Sequence, residues 1–202
     1  MKIDALVRDN VINMSSYSSA RDEYKNIPDE NLIYLDANES PFDNGINRYP
    51  NNKHNDLKTV VSKIKNVNVN QVVFGNGTDE ILDLIVRVFC NPNQDQIITL
   101  PPTYGMYDVI AKTNSVENIE IPLKSDFSID TDKILSLKES NTKILFLCSP
   151  NNPTGNSFDI NVLSDLIKDF RGVVVVDEAY IDFSSQKSLI NLIGKYENLI
   201  IT

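Results

Sequence analysis

The sequence predicts an α/β protein: a mainly parallel sheet with helices on both faces. Three observations lead there. Apolar runs of strand length recur at residues 72–75, 97–100, 118–123, 143–148, 173–177 and 198–202. Stretches with apolar residues at i, i+3, i+4 and i+7 lie between most of them, the mark of a helix with one buried stripe. The run at 173–176 is four valines with no polar alternation, as a strand covered on both faces requires. Ligands in such sheets bind beyond the carboxyl ends of the strands, so the loops that follow strands are where chemistry is sought.

The elements follow in order. Residues 1–52 read as an arm of limited regular structure, because Ser15-Ser16-Tyr17-Ser18-Ser19, Asn38-Glu39-Ser40-Pro41 and Tyr49-Pro50-Asn51-Asn52 are polar and rich in turn formers. Residues 53–202 show no linker and no internal repeat, and are read as one domain. Its first helix carries Leu57, Val60, Val61 and Ile64; a second, after the strand at 72–75, carries Ile81, Leu82, Ile85, Val86 and Phe89. A third clear helix, with Leu163, Leu166, Ile167 and Phe170, separates the strands at 143–148 and 173–177.

Composition sets bounds on function. The 202 residues are 41% hydrophobic, enough for one good core. Acidic residues outnumber basic ones 28 to 19, a formal charge of −9, and no Lys/Arg cluster interleaves with aromatics, which disfavours a nucleic-acid partner. No apolar run approaches the roughly 18 residues of a membrane span, and the start Met1-Lys2-Ile3-Asp4 is charged early, so a cytoplasmic protein without membrane partners is expected. Cys90 and Cys148 lie far apart, without a Cys-x-x-Cys pairing; Cys148 sits in an apolar run and reads as a buried thiol, and neither reads as disulfide-bonded or catalytic. His54 stands alone among Asn51, Asn52, Lys53 and Asn55 and reads as solvated, so no metal site is expected. No Gly-x-Ser-x-Gly elbow supports a hydrolase.

Four strand ends carry polar groups suited to chemistry. Gly75-Asn76-Gly77-Thr78-Asp79-Glu80 follows a strand and opens a helix, which reads either as a cradle of backbone amides for a phosphate or as a plain turn capped by Thr78 or Asp79. It does not match the dinucleotide fingerprint, since Glu80 holds the position of the third glycine. Pro101-Pro102-Thr103-Tyr104-Gly105-Met106-Tyr107 follows the strand at 97–100; Tyr104 there can face a ligand or simply pack. Ser149-Pro150-Asn151-Asn152-Pro153-Thr154-Gly155 is a turn after the strand at 143–148. The valine strand ends in Asp177-Glu178-Ala179-Tyr180. Apolar residues followed by Asp-Glu also suit the magnesium-holding strand of a P-loop ATPase, but the chain has no Gly-x-x-x-x-Gly-Lys-Ser/Thr loop; Asp177 can otherwise cap the turn that follows it.

Taken in order with Tyr17-Ser18-Ser19-Ala20-Arg21 and Leu35-Asp36-Ala37-Asn38-Glu39-Ser40-Pro41, these motifs resemble the fold-type I aminotransferases, and among them the histidinol-phosphate aminotransferase family. The resemblance runs from near residue 5 to the end. It implies a homodimeric pyridoxal 5'-phosphate enzyme of histidine biosynthesis that moves an amino group between histidinol phosphate and glutamate, with 2-oxoglutarate as keto partner. It implies that amides around Gly77, Thr78 and Asp79 hold the cofactor phosphate and that Tyr104 stacks on the ring. Asp177 would pair with the pyridinium nitrogen, while Asn152 and Tyr180 would bond the phenolic oxygen. Tyr49 would reach the phosphate in the other subunit, and Tyr17 and Asn38 would close over substrate.

The Schiff-base lysine, the arginines and the small carboxyl-terminal domain of that family are not among these residues. Lys195 precedes the last strand and is expected at the far end of the sheet. The resemblance further implies one antiparallel strand from beyond Thr202, lying between 72–75 and 198–202. The large domain is thus expected to be incomplete and the 202 residues inactive alone. Other readings are a different member of the fold, such as an aromatic aminotransferase or threonine-phosphate decarboxylase, or a noncatalytic fragment.

Overall fold

Five strands make one sheet in the order β2-β1-β3-β4-β5, with β1 at Gln96–Thr99, β2 at Glu117–Glu120, β3 at Thr142–Cys148, β4 at Val173–Asp177 and β5 at Leu199–Ile201. Every pairing is parallel. The computed structural model describes residues 2–18, 33–51, 53–137 and 141–202. Ser19, Ala20, Arg21 and Asn52 of the arm motifs lie outside the described residues. The helices are α1 Asp9–Ile12, α2 Asn55–Lys65, α3 Thr78–Phe89, α4 Met106–Thr113, α5 Thr131–Ser136 and α6 Ile160–Asp169. Among the described residues no helix is long and apolar enough to cross a membrane.

The period of two along the central strands divides the core. Ile144, Phe146, Val173 and Val175 pack on one face with Leu82 and Val86 of α3 and with Tyr107 and Ile110 of α4. Leu145, Leu147, Val174 and Val176 pack on the other with Ile134 of α5 and with Leu163, Leu166 and Ile167 of α6. Val173 to Val176 are 0% exposed, which accounts for the absence of polar alternation. Each such side chain contributes about 1.5–3 kcal/mol by leaving water, so β3 and β4 are firmly held. The helices on the second face are capped as their sequences indicate. Asp130 accepts from the Lys133 amide at 3.1 Å and Asp159 from the Asn161 amide at 2.7 Å.

The strand order places the binding crevice. The chain leaves β1 through α4 to reach β2 on one side, then crosses back so that β3, β4 and β5 build outward on the other. The loops after β1 and β3 therefore part at the carboxyl edge, the usual ligand position in an open parallel sheet.

Three expectations require correction or refinement. Residues 72–75 form no strand: the segment leaves a 3-10 turn at Val69–Gln71, closed by a reciprocal Asn68/Gln71 capping box, and Val73 is 70% exposed. A strand is held by its ladder, and among the described residues no strand lies beside this segment to supply one. The helix α2 forms, yet its apolar stripe is in contact with solvent: Leu57, Val60 and Ile64 are 51%, 54% and 72% exposed. The arm, expected to have limited regular structure, begins with two short helical turns, the first of them packed on the core. Leu6 is buried in the core beside α3, and Arg8 donates its backbone N–H to the Val88 carbonyl and a guanidinium N–H to the Arg87 carbonyl.

Candidate functional site

At the carboxyl edge of the sheet lies a cavity of about 270 Å³, walled by Asn76, Gly77, Thr78 and Asp79 at the start of α3, Tyr104 after β1, Cys148 and Asn152 at and after the end of β3, and Asp177, Ala179 and Tyr180 at the end of β4. The motifs were separated by up to a hundred residues in the sequence; the parallel sheet brings their ends together. Gly77, Thr78, Asp79, Tyr104, Asn152, Asp177 and Tyr180 all line this one space. Tyr49, Tyr17 and Asn38 do not; all three are solvent-exposed, Tyr49 at 63% and Tyr17 at 84%.

Asp177 is the most firmly held member. It is the last residue of β4, in register with Cys148 of β3, and only 3% exposed. Its Oδ2 accepts the Tyr107 hydroxyl at 2.7 Å and its Oδ1 accepts the Ala179 amide at 3.1 Å. A carboxylate has about four acceptor positions, so acceptor capacity is left for a donor in the cavity. Among the described residues no Lys or Arg pairs with Asp177. A buried carboxylate without a cation is costly, and a ligand carrying an N–H⁺ group would remove that cost. Beside it, burial pushes the Cys148 thiol up, so it stays neutral and donates weakly to the Pro150 carbonyl at 3.4 Å.

The opposite wall is of contrary polarity. Gly77 caps α3 with φ 78°, a left-handed conformation that favours glycine. The first amides of α3, at Thr78, Asp79 and Glu80, have no helical carbonyl one turn below them, an arrangement that suits an anion. The acidic side chains in this turn are drawn aside. Glu80 folds back onto the Asn76 amide, and Asp79 accepts the Tyr104 hydroxyl at 3.1 Å. Burial first, and then the Asp79 carboxylate, raise the Tyr104 hydroxyl's pKa, so it keeps the proton that it donates.

Three residues that hold these walls were not singled out from the sequence. Asn151, 3% exposed, donates to the Pro102 carbonyl at 2.9 Å and accepts from the Thr103 hydroxyl at 2.9 Å, which ties the Asn152 turn to the Tyr104 loop. Glu178 accepts from the Ser188 hydroxyl and, at 2.7 Å, from the Leu189 amide, fixing the loop that carries Tyr180. Burial raises the Glu178 pKa, with those two donors opposing. Tyr107 is fully buried, with its ring 4.7 Å from that of Phe146 and nearly parallel to it. Its helical spacing with Ile110 and Ala111 marks a core residue; nothing in the sequence joins its hydroxyl to a carboxylate seventy residues away.

A second, open depression of about 640 Å³ adjoins the cavity, sharing Asn152 and Tyr180 and continuing to Phe183, Ser184 and Gln186. It is larger, but Asp79, Tyr104, Cys148 and Asp177 and the amino end of α3 gather in the smaller space. Lys195 lies in neither; it borders a different hollow with Lys168 and Arg171, at the far end of the sheet as expected.

Residues 9–202 match the family model described as aminotransferase class I and II. The chain belongs to this family. It is 54% identical over 200 residues to the histidinol-phosphate aminotransferase of Flavobacterium psychrophilum and 52% identical to that of Flavobacterium johnsoniae, in each case over 99% of this chain. The chain spans 58% and 57% of the length of those two relatives. Among solved structures it is similar to the histidinol-phosphate aminotransferase of Sinorhizobium meliloti in complex with pyridoxal-5'-phosphate, with TM-score 0.68 at 19% identity over 76% of this chain and 43% of that one. The corresponding enzyme of Clostridium acetobutylicum gives TM-score 0.65 at 23% identity over 76% of this chain and 46% of that one. These likenesses show the fold.

Proposed function

We propose that this chain supplies the pyridoxal 5'-phosphate site of an enzyme that moves an amino group between histidinol phosphate and 2-oxoglutarate, a cytoplasmic step of histidine biosynthesis. The observation that carries the reading is Asp177, a buried carboxylate with no Lys or Arg paired to it among the described residues, set across one cavity from the first amides of α3. The donor set fits a flat ligand with an anion at one end and a cationic ring nitrogen at the other. In this aminotransferase the amides at Thr78 and Asp79 would hold the phosphate and Asp177 would accept from the ring N–H⁺. Asn152 and Tyr180 would donate to the phenolic oxygen, and the Tyr104 ring would lie along the ring face. Bound pyridoxal phosphate supplies an electron-accepting ring that stabilises negative charge developing at the substrate carbon. The chain's own part is to orient that ring, exclude water from its nitrogen, and keep a proton on it.

Within the same reading, residues 53–202 form the cofactor-binding unit, while residues 1–52 form an arm from which Tyr17 and Asn38 close over substrate. The exposed Tyr49 is assigned to the phosphate of a second copy in a homodimer, which accords with its place away from the cavity of its own chain. The test is incubation of the intact protein with histidinol phosphate, 2-oxoglutarate and pyridoxal phosphate, which is expected to form glutamate. Asp177→Asn is expected to lower kcat by about 10²-fold or more with KM little changed, because the carboxylate acts on the chemical step. Release of carbon dioxide from threonine phosphate, or faster turnover of tyrosine than of histidinol phosphate, would overturn the substrate assignment.

A further inference from the structure

We propose that Tyr107 is the positioning residue for Asp177: its hydroxyl, donated to Oδ2 at 2.7 Å from outside the cavity wall, holds the carboxylate in one orientation and makes it a weak enough base to leave the proton on the ligand's ring nitrogen. The inference rests on the cofactor reading above. In a hydrogen-bonded pair of a carboxylate and a pyridinium nitrogen, the proton resides on whichever partner is the stronger base in that setting. Burial strengthens the carboxylate as a base, because the charged form loses water. Donors to the carboxylate oppose this, and each donor to a charged group counts for more in a dry site. Asp177 has two, the Ala179 amide and the Tyr107 hydroxyl.

The tyrosine is built for a fixed hydroxyl. Its ring is stacked on Phe146 at 6° and met edge-on by Tyr104, with centroids 5.5 Å apart at 87°. It sits in α4, packed in the core between α3 and the sheet, so the donor cannot swing away. Burial, together with the neighbouring Asp177 charge, pushes its own pKa far up, and the hydroxyl remains a donor at any ordinary pH. Tyr107 therefore also joins the residue assigned to the ring face, Tyr104, to the residue assigned to the ring nitrogen.

The experiment uses pyridoxamine 5'-phosphate labelled with ¹⁵N in the ring, which has no aldehyde and cannot form an imine with surface lysines, bound at saturation to the full chain. Its ring-nitrogen signal is expected at the protonated position in the wild type and at the unprotonated position in Asp177→Asn. In Tyr107→Phe, which keeps the stacked ring and removes only the hydroxyl, the signal is expected to move part of the way toward the unprotonated position, with affinity reduced several-fold. A Tyr107→Phe signal identical to wild type overturns the inference and leaves the cofactor reading intact. A wild-type signal already matching Asp177→Asn removes the cofactor reading and this inference with it. Should Tyr107→Phe fold poorly, 4-aminophenylalanine placed at position 107, a weaker donor of nearly the same shape, carries the test: the signal must move part of the way toward the unprotonated position, and no movement overturns the inference.

Discussion

The carboxyl ends of β3 and β4 and the segment from residue 33 to 77 both carry residues assigned to one site, but they are held in opposite ways. Asp177 is fixed by a ladder, two hydrogen bonds and a closed core on both faces of its strand. Asn38 and Tyr49 lie on solvated backbone whose bonds are short-range, such as Glu39 accepting from the Tyr49 amide and from Arg48. The Gly75–Glu80 loop stands between the two, anchored through α3 on one side and bounded on the other by the 72–75 segment, which pairs with no strand among the described residues. The difference teaches that the residues assigned to the ring are held by this sheet, whereas those assigned to a second copy and to substrate closure lie at the surface.

The largest expected effect is on stability. Leu166→Ala removes a side chain that is 1% exposed between α6 and the sheet and is expected to cost about 2–5 kcal/mol. Ile64→Ala on α2, where the side chain is 72% exposed, is expected to change stability by no more than about 0.5 kcal/mol. Denaturant unfolding of both variants checks this, and equal losses would break the contrast. Next is Asn151→Ala, which leaves the Pro102 carbonyl and the Thr103 hydroxyl without their partner and is expected to cost about 1–3 kcal/mol. It is also expected to loosen the Asn152 turn, read as faster amide exchange at Gly155, whose N–H bonds the Asn151 carbonyl.

Much of this contrast was legible in the sequence, for a physical reason. Period-two and period-3.6 patterns record what is buried, so β3, β4, α3 and α6 could be read from their apolar residues. Tyr104, Asn152, Asp177 and Tyr180 could be placed because each lies at or just after the end of a strand, and strand ends meet in a parallel sheet; Gly77, Thr78 and Asp79 reach the same place by opening α3. What did not come through depends on partners. The 72–75 run has strand composition, but a ladder is a property of two segments. The α2 stripe has a helix pattern, but a pattern does not say what covers it. The Tyr107–Asp177 bond joins positions seventy apart, and the β1–β3 and β3–β4 pairings with α4 laid over them bring them together.

A pH titration sharpens the comparison on the buried side. Glu178 has a folded-state pKa raised by burial, so the folded chain binds more protons than the unfolded one in the window just above the ordinary glutamate value. Its contribution is fully present below the unfolded pKa and is lost as pH rises through the folded pKa. The stability of Glu178→Gln relative to wild type is therefore expected to improve as pH rises through that window; a flat difference would show that Ser188 and Leu189 cancel the burial. The smallest stability effect is expected at Tyr49→Phe, within about 0.5 kcal/mol, since the ring is 63% exposed. Cofactor retention in the intact protein is nonetheless expected to fall, and mixing this variant with Asp177→Asn subunits should restore some sites if the tyrosine acts across the dimer.

The central claim is that one cavity, walled by the start of α3 and the end of β4, takes a phosphate at one end and a ring nitrogen at the other. The most direct measurement is a ¹H–¹⁵N amide spectrum of the chain titrated with pyridoxamine 5'-phosphate. The amides of Gly77, Thr78, Asp79 and Ala179 are expected to shift together with a single dissociation constant, and inorganic phosphate alone is expected to move only the first three. Shifts confined to surface lysine neighbourhoods, or movement at Ala179 without movement at Thr78 and Asp79, would contradict the account.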